Sequence, residues 1–388
     1  MMRRLPLAYV VYFSAVGASF PYLPVFYRDL GLDFDAIGLI AALQAATQLI
    51  ASPIWGGLAD RFPHSRATLP AAALFACIGA IILLFGTGIL GAVLGAIVGG
   101  AILYGGLAGI GPVLDARSLE LLGTDRHRYG QVRAWGSAAF VVSASIVGVV
   151  LDREGSRSIF AIYLPALLLT ALVTAFLPRR GTSRSASILR GARTVLAAPG
   201  LALFLGGVFL VWTSLSAMNA FYSIQVVALG GGATLAGLSW ALGSAVEVPI
   251  MFGFARLGRR FGNERLVIFG AFVFAARALV AGIAQEPALL VGIAVLEGLA
   301  FSTFFVGGVT YIGSLAPTTL TGTAQGLFAA TAGLATIVGS SLGGLIATAV
   351  TIPGLFIAAG ILHLIAAVVV TFAIRRGPGI RRVPAMPA

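Results

Sequence analysis

Several ionisable side chains sit inside otherwise apolar runs, among them Asp115, Arg133, Glu247, Arg277 and Glu297. Asp115 lies a few residues inside the end of one run, and Arg133 a few residues inside the start of the next. The short charged stretch 123–128 separates the two runs. At about 1.5 Å of rise per helical residue, both side chains lie roughly 6–11 Å below the same membrane face. An unpaired charge at that depth costs several kcal/mol, so opposite charges at matched depth predict a pair on adjacent helices. Such a pair either fixes helix packing or forms a ligand site facing a water-filled cavity. The residues leave both readings open.

Glu247, Arg277 and Glu297 fall near mid-membrane in three successive runs of the C-terminal half. Two acids and one base leave one acid in excess. If Arg277 pairs with one acid, the other gains by taking a proton, since burial disfavours a charged carboxylate. A carboxyl that gains and loses a proton has the chemistry that proton coupling requires. The alternative is a structural cluster that ties three helices together. Gln44 and Gln48 are four residues apart and share a helix face, as do Asn219 and Tyr222, three apart. Gln44 and Asn219 are expected to line a cavity, and Gln48 to bond helix to helix.

The elements that must hold these groups are set by composition. Hydrophobic residues make up 59% of the 388-residue chain and charged residues 10%, with a mean hydropathy of +1.01. Soluble domains average roughly 25% charged residues, so this is an integral membrane protein. The formal net charge is +12, but the charge lies in short loops without a basic stripe, which excludes nucleic acid as a partner. All 25 basic residues are Arg, read here as genomic composition bias. The single cysteine, Cys77, allows no intramolecular disulfide and reads as a small packing residue. The basic start and apolar follow-on of the N-terminus read as a first membrane helix rather than a signal peptide.

Apolar stretches long enough to span recur near 6–27, 36–58, 67–87, 90–121, 130–151, 158–177, 199–226, 234–255, 265–284, 287–313, 320–348 and 353–374. Twelve spans place both termini on one side. The loops on that side hold most of the Arg residues, and the opposite loops hold only Arg28, Arg153 and Arg157, offset by acids. Arg-rich loops face the cytoplasm, so both termini are expected there. The longest polar interval, near 178–199, falls after the sixth span and reads as a cytoplasmic linker. The expected division is 1–178, linker 179–198, and 199–388. The halves also repeat: GLADRF at 57–62 follows the second span, and RLGRRF follows the eighth 199 residues later. Two six-helix halves with a repeated turn are the layout of major facilitator transporters.

The whole chain resembles the major facilitator superfamily. The segment 54–69, IWGGLADRFPHSRATL, resembles that family's loop motif, with Pro63 where a glycine is usual and His64-Ser65 replacing part of the basic run. The resemblance implies a gating role for Asp60 and Arg61. Four places resemble the branch that holds lactose permease and the phenylpropionate permeases: 16–29, 111–136, 247–277 and 316–344. In lactose permease the acid and arginine at the second place bind the sugar. The resemblance therefore implies that Asp115 and Arg133 contact substrate, with Trp135 offering an aromatic face beside them. It also places Glu297 where the family's symporter carries its coupling histidine, which ranks Glu297 ahead of Glu247 for the proton. Two departures stand out. Ala300 occupies the position of the nearby acid, and the seventh-helix acids are missing. Drug-exporter features are weak: the fourth helix lacks their buried arginine and the fifth their Gly-Pro signature.

The expected fold is an all-α membrane protein, twelve transmembrane helices in two pseudo-symmetric six-helix bundles. The expected function is secondary transport by alternating access, as a proton-coupled symporter of a small organic solute, with an organic or aromatic acid ahead of a sugar or nucleoside. An efflux antiporter is the alternative within transport; a membrane sensor or a lipid flippase stands outside it. No enzyme constellation, metal cluster or phosphate-binding loop is present in the sequence, and no cofactor is expected. The expected partners are the small-molecule substrate, protons and membrane lipid. The expected setting is a monomer in the bacterial cytoplasmic (inner) membrane.

Overall fold

A computed structural model describes residues 4–62, 64–123, 128–178, 195–316 and 320–377. Within them are twelve helices long and apolar enough to span a membrane. They are α1 (Leu5–Asp29), α2 (Phe34–Arg61), α3 (Thr68–Ile89), α4 (Ala92–Leu122), α5 (Tyr129–Glu154), α6 (Ser156–Ala175), α7 (Leu201–Ala228), α8 (Gly232–Phe261), α9 (Asn263–Ile283), α10 (Pro287–Leu315), α11 (Thr321–Val350) and α12 (Ile352–Arg376). Each lies within a few residues of its expected span. The largest difference is α8, which continues to Phe261, beyond the expected 255. Its last turn carries Arg259 and Arg260, and basic side chains favour a helix C-terminus. The expected linker falls mostly in 179–194, outside the described residues, as do Pro63 and the loop 124–127.

The chain is all-α, and packing partners repeat between its halves. In the first half α1 packs on α5 and α6, α2 on α4, and α3 on α4 and α6. In the second half α7 packs on α11 and α12, α8 on α10, and α9 on α10 and α12. Adding six to each helix number turns the first set into the second. The fold is thus two pseudo-symmetric six-helix bundles. Two seams join them, α2 against α11 and α5 against α8, and the same operation exchanges these seams.

The seams are tightest at the end of the bundle away from the chain termini, here called the distal end. A Cβ on Gly38 of α2 would lie 2.6 Å from the Ser340 carbonyl oxygen of α11. A Cβ on Gly148 of α5 would lie 2.6 Å from the Ala233 carbonyl oxygen of α8. Only glycine permits such backbone approach. Toward the other end the helices part. In α2 the buried residues are Ile37, Gly38, Ile40, Ala42 and Gln44, then none until Ala59. In α8 none is buried between Gly243 and Phe254. Gly56, Gly57 and Gly253 have no neighbour within 4 Å of an added Cβ.

Candidate functional site

Between the two bundles lies a cavity of about 630 Å³, within the size range of small-molecule sites. Helices of both halves line it: α1, α2, α4 and α5 on one side, and α7 through α11 on the other. Its charged groups are Arg133, Glu247, Arg277 and Glu297. Aromatic side chains form much of the wall. Phe20 of α1 meets Trp240 of α8 edge to face at 4.9 Å, a contact between halves. The Trp240 indole N–H donates to Ser223 Oγ at 3.0 Å, which fixes its ring against the cavity.

Arg133 faces the cavity from α5. Its guanidinium lies 3.8 Å from the Phe13 ring centre and 5.9 Å from that of Tyr9. Its Nη1 donates only weakly, to Ser137 Oγ at 3.5 Å. Phe13 and Tyr9 are four residues apart on α1, so they share one face and form an aromatic shelf under the cation. Asp115 is not an ion-pair partner of Arg133. Tyr9 Oη donates to Asp115 Oδ1 at 2.6 Å, so Tyr9 stands between the expected partners. Asp115 is absent from the cavity lining. The expected substrate contact of Asp115 is thus with a residue that lies off the cavity wall, tied to α1 through Tyr9.

Trp135 is not brought to the cavity. It is 58% exposed and borders a small crevice with Leu5, Leu122 and Arg128. The reason is helical phase: two residues on from Arg133, a side chain points away from it.

In the C-terminal half, Arg277 Nη1 lies 2.8 Å from Glu297 Oε2. The alignment is that of a charge contact rather than a hydrogen bond, since Glu297 Oε2 has no hydrogen-bond partner. Nη1 also reaches Met218 Sδ at 3.3 Å, and the guanidinium sits 4.7 Å over the Tyr222 ring. Arg277 and Glu297 are both buried. Tyr222 presents its ring to the cavity, while its hydroxyl donates to the Leu290 carbonyl at 2.5 Å. Glu247 faces the same cavity from α8. Among the described residues no cation lies within ion-pair distance of it.

Both glutamines line the cavity, Gln44 as expected and Gln48 against expectation. Gln44 is buried and donates to Tyr27 Oη at 2.7 Å, bonding α2 to α1 at the cavity wall. Gln48 is exposed and lines the cavity. This corrects the assignment of Gln48 to helix–helix bonding. Asn219 lines the cavity, and its Oδ1 has no hydrogen-bond partner. Asp60 and Arg61 sit on the last turn of α2, outside the lining. The Arg61 guanidinium lies over the Phe62 ring at 5.8 Å. Among the described residues no cluster of His, Cys, Asp or Glu could hold a metal ion.

Sequence reasoning did not single out Tyr9, Phe13, Tyr27 or Trp240. The i, i+4 spacing of Tyr9 and Phe13 was the readable signal; the other two gave none.

Comparison with known proteins bears on this arrangement. The model of the MFS_1 like family matches residues 2–358. A maltose permease of Geobacillus stearothermophilus is 31% identical over 84% of this chain and 82% of its own length. A probable 3-phenylpropionic acid transporter of Escherichia coli K12 is 24% identical over 80% of this chain and 82% of its own. The crystal structure of the nucleoside transporter NupG superposes with a TM-score of 0.80 at 17% identity, covering 95% of this chain and 98% of that one. With its twelve spans, its paired bundles and a family match over nearly its whole length, this chain belongs to the MFS_1-like family and is a major facilitator transporter, a multi-pass membrane protein and not an enzyme.

Proposed function

We propose that the protein is a proton-coupled symporter of a small organic acid, working by alternating access. The observation that carries this reading is Arg133. It presents a cation to the cavity with an aromatic shelf beneath it and no carboxylate in ion-pair contact among the described residues. A planar guanidinium donates two parallel N–H bonds to a carboxylate, so the solute supplies the missing anion.

Charge balance then gives the coupling rule. Arg277 and Glu297 neutralise each other. Arg133 and Glu247 remain, one on each half and both facing the cavity. With Glu247 ionised, the empty cavity is neutral. With the acid anion on Arg133 and a proton on Glu247, the loaded cavity is neutral again. Either ligand alone leaves a net charge at membrane depth, which is costly. The two halves therefore exchange access either empty or doubly loaded. The proton is assigned to Glu247 rather than Glu297, because Glu297 is held by Arg277.

The halves 1–178 and 199–388 are taken as the moving units, joined by the linker 179–198. The Arg-rich loops place the termini end in the cytoplasm, in the cytoplasmic membrane of a bacterium, and the unit is read as a monomer. Asp60 and Arg61 then lie where the halves would meet when the carrier opens outward, which suits a gating role.

A second reading is supported by Gln48 and Asn219, whose amides face the cavity, and by the aromatic wall. These suit a hydroxyl-rich solute such as a sugar or nucleoside. Uptake into proteoliposomes of 3-phenylpropionate, maltose and uridine, with and without an inward pH gradient, separates the readings. Gradient-driven accumulation of 3-phenylpropionate alone supports the first. Accumulation of maltose or uridine with exclusion of the acid overturns it.

A further inference from the structure

One carboxylate outside the cavity joins the two halves. Asp152 lies in the last turn of α5, at the distal end. Its Oδ1 accepts the backbone N–H of Ala233 at 2.7 Å. Its Oδ2 accepts the backbone N–H of Thr234 at 2.9 Å and the Thr234 hydroxyl at 2.5 Å. Ala233 and Thr234 form the first turn of α8, in the other half. The first N–H groups of a helix lack intrahelical partners and carry the positive end of its dipole. Capping normally comes from the residue just before the helix. Here the residue before α8 is Gly231, which offers no side-chain cap. The cap comes instead from a helix of the opposite bundle.

We propose that Asp152 is the latch of the distal closure, made when the halves meet at that end and broken each time the carrier opens there. Three features support this. The bonds run between halves rather than within one, so rigid-body opening must break all of them together. They lie one turn beyond the contact of Gly148 with Ala233 and Thr234, so the seam and the cap close as one surface. Asp152 is also exposed. Water can solvate both the released carboxylate and the freed N–H groups, so the latch is reversible in a way that a buried pair is not. Gly232 completes the fit: its φ is +64°, and a Cβ there would lie 2.8 Å from Asp152 Oδ1. Among the described residues the other seam shows no such cap: Asp35, one turn before Gly38, accepts the N–H of its own neighbour Ala36.

The latch is independent of the solute, so its test needs none. Spin labels at Arg157→Cys and Gln285→Cys, both exposed at the distal end of opposite halves, are placed in full-length protein with Cys77→Ser and reconstituted in lipid nanodiscs. The distance distribution is read by electron–electron double resonance, with melting temperature measured alongside. Asp152→Ala should raise the long-distance, distally open population about tenfold relative to the parent. Thr234→Val, which removes one of the three bonds, should shift it the same way by about threefold. Unchanged distances in Asp152→Ala, whether or not the melting temperature falls, would reduce Asp152 to a local helix cap and overturn the proposal. A shift in Asp152→Ala matched by Asp152→Asn at half size or less would support it, since the amide keeps one acceptor and loses the charge.

Discussion

Arg277 reaches Glu297 at 2.8 Å between α9 and α10, and the proposed role of a third residue, Glu247, rests on that contact. Both partners are buried, so each compensates the charge that the other brings. Glu247, on the neighbouring α8, lines the same cavity with no cation at ion-pair distance among the described residues. Of the two acids, only Glu297 has a cation in ion-pair contact among the described residues, and the proposed coupling role of Glu247 rests on that difference.

Neutralising each acid should therefore have opposite effects. Glu247→Gln should retain solute binding and exchange but abolish accumulation driven by a pH gradient, because no proton can be released. Glu297→Gln should leave Arg277 as an uncompensated buried charge, at a cost of about 3–5 kcal/mol. Its signature is a lowered melting temperature. Normal gradient-driven accumulation by Glu247→Gln would move the proton site elsewhere.

Arg133→Lys keeps the charge but loses the planar fork and its stacking on Phe13. Binding of 3-phenylpropionate should fall at least tenfold, measured by calorimetry in detergent, with the melting temperature near that of the parent. Wild-type affinity would remove Arg133 from the site.

Phe13→Leu tests the shelf itself. A desolvated cation–π contact is worth about 0.5–2 kcal/mol, so affinity for the same acid should fall between about twofold and thirtyfold. Phe13→Tyr should recover most of it, because the ring face is kept. Equal losses in both variants would point to packing rather than to the ring.

Tyr9→Phe removes one donor to the half-buried Asp115 carboxylate, which keeps Tyr129 beside it. The expected cost is about 0.5–1.5 kcal/mol of stability, visible in the melting temperature. Trp135→Ala should leave solute binding unchanged and stability within about 0.5 kcal/mol, as surface substitutions usually do. A large binding loss in Trp135→Ala would contradict the outward placement of that ring.

All twelve spans were readable in the sequence, because a long apolar run is a strong signal and needs no knowledge of partners. The two-bundle architecture was readable as well, from the repeated basic turn and the even span count. What could not be read was rotation about each helix axis. Gln44 and Gln48 share a face, and only packing shows which of them meets Tyr27. Asp115 and Arg133 match in depth, but depth does not show that Tyr9 comes between them. The choice of Arg277 between two acids at similar depth is likewise a matter of azimuth. The outward turn of Trp135, by contrast, was readable from its spacing to Arg133, and placing its ring beside the site went against that spacing.

The opposed placement of Arg133 and Glu247 has an electrical consequence. If the carrier is neutral both empty and doubly loaded, a cycle that moves one monocarboxylate with one proton carries no net charge. Membrane voltage then has no hold on it, although one moved charge would be worth about 2.3 kcal/mol per 100 mV. Uptake of 3-phenylpropionate should be indifferent to a potassium diffusion potential of either sign. A neutral sugar moving with a proton would leave Arg133 uncompensated in the loaded state, and uptake would rise when the interior is made negative. A voltmeter therefore separates the two solute classes without the solute being identified.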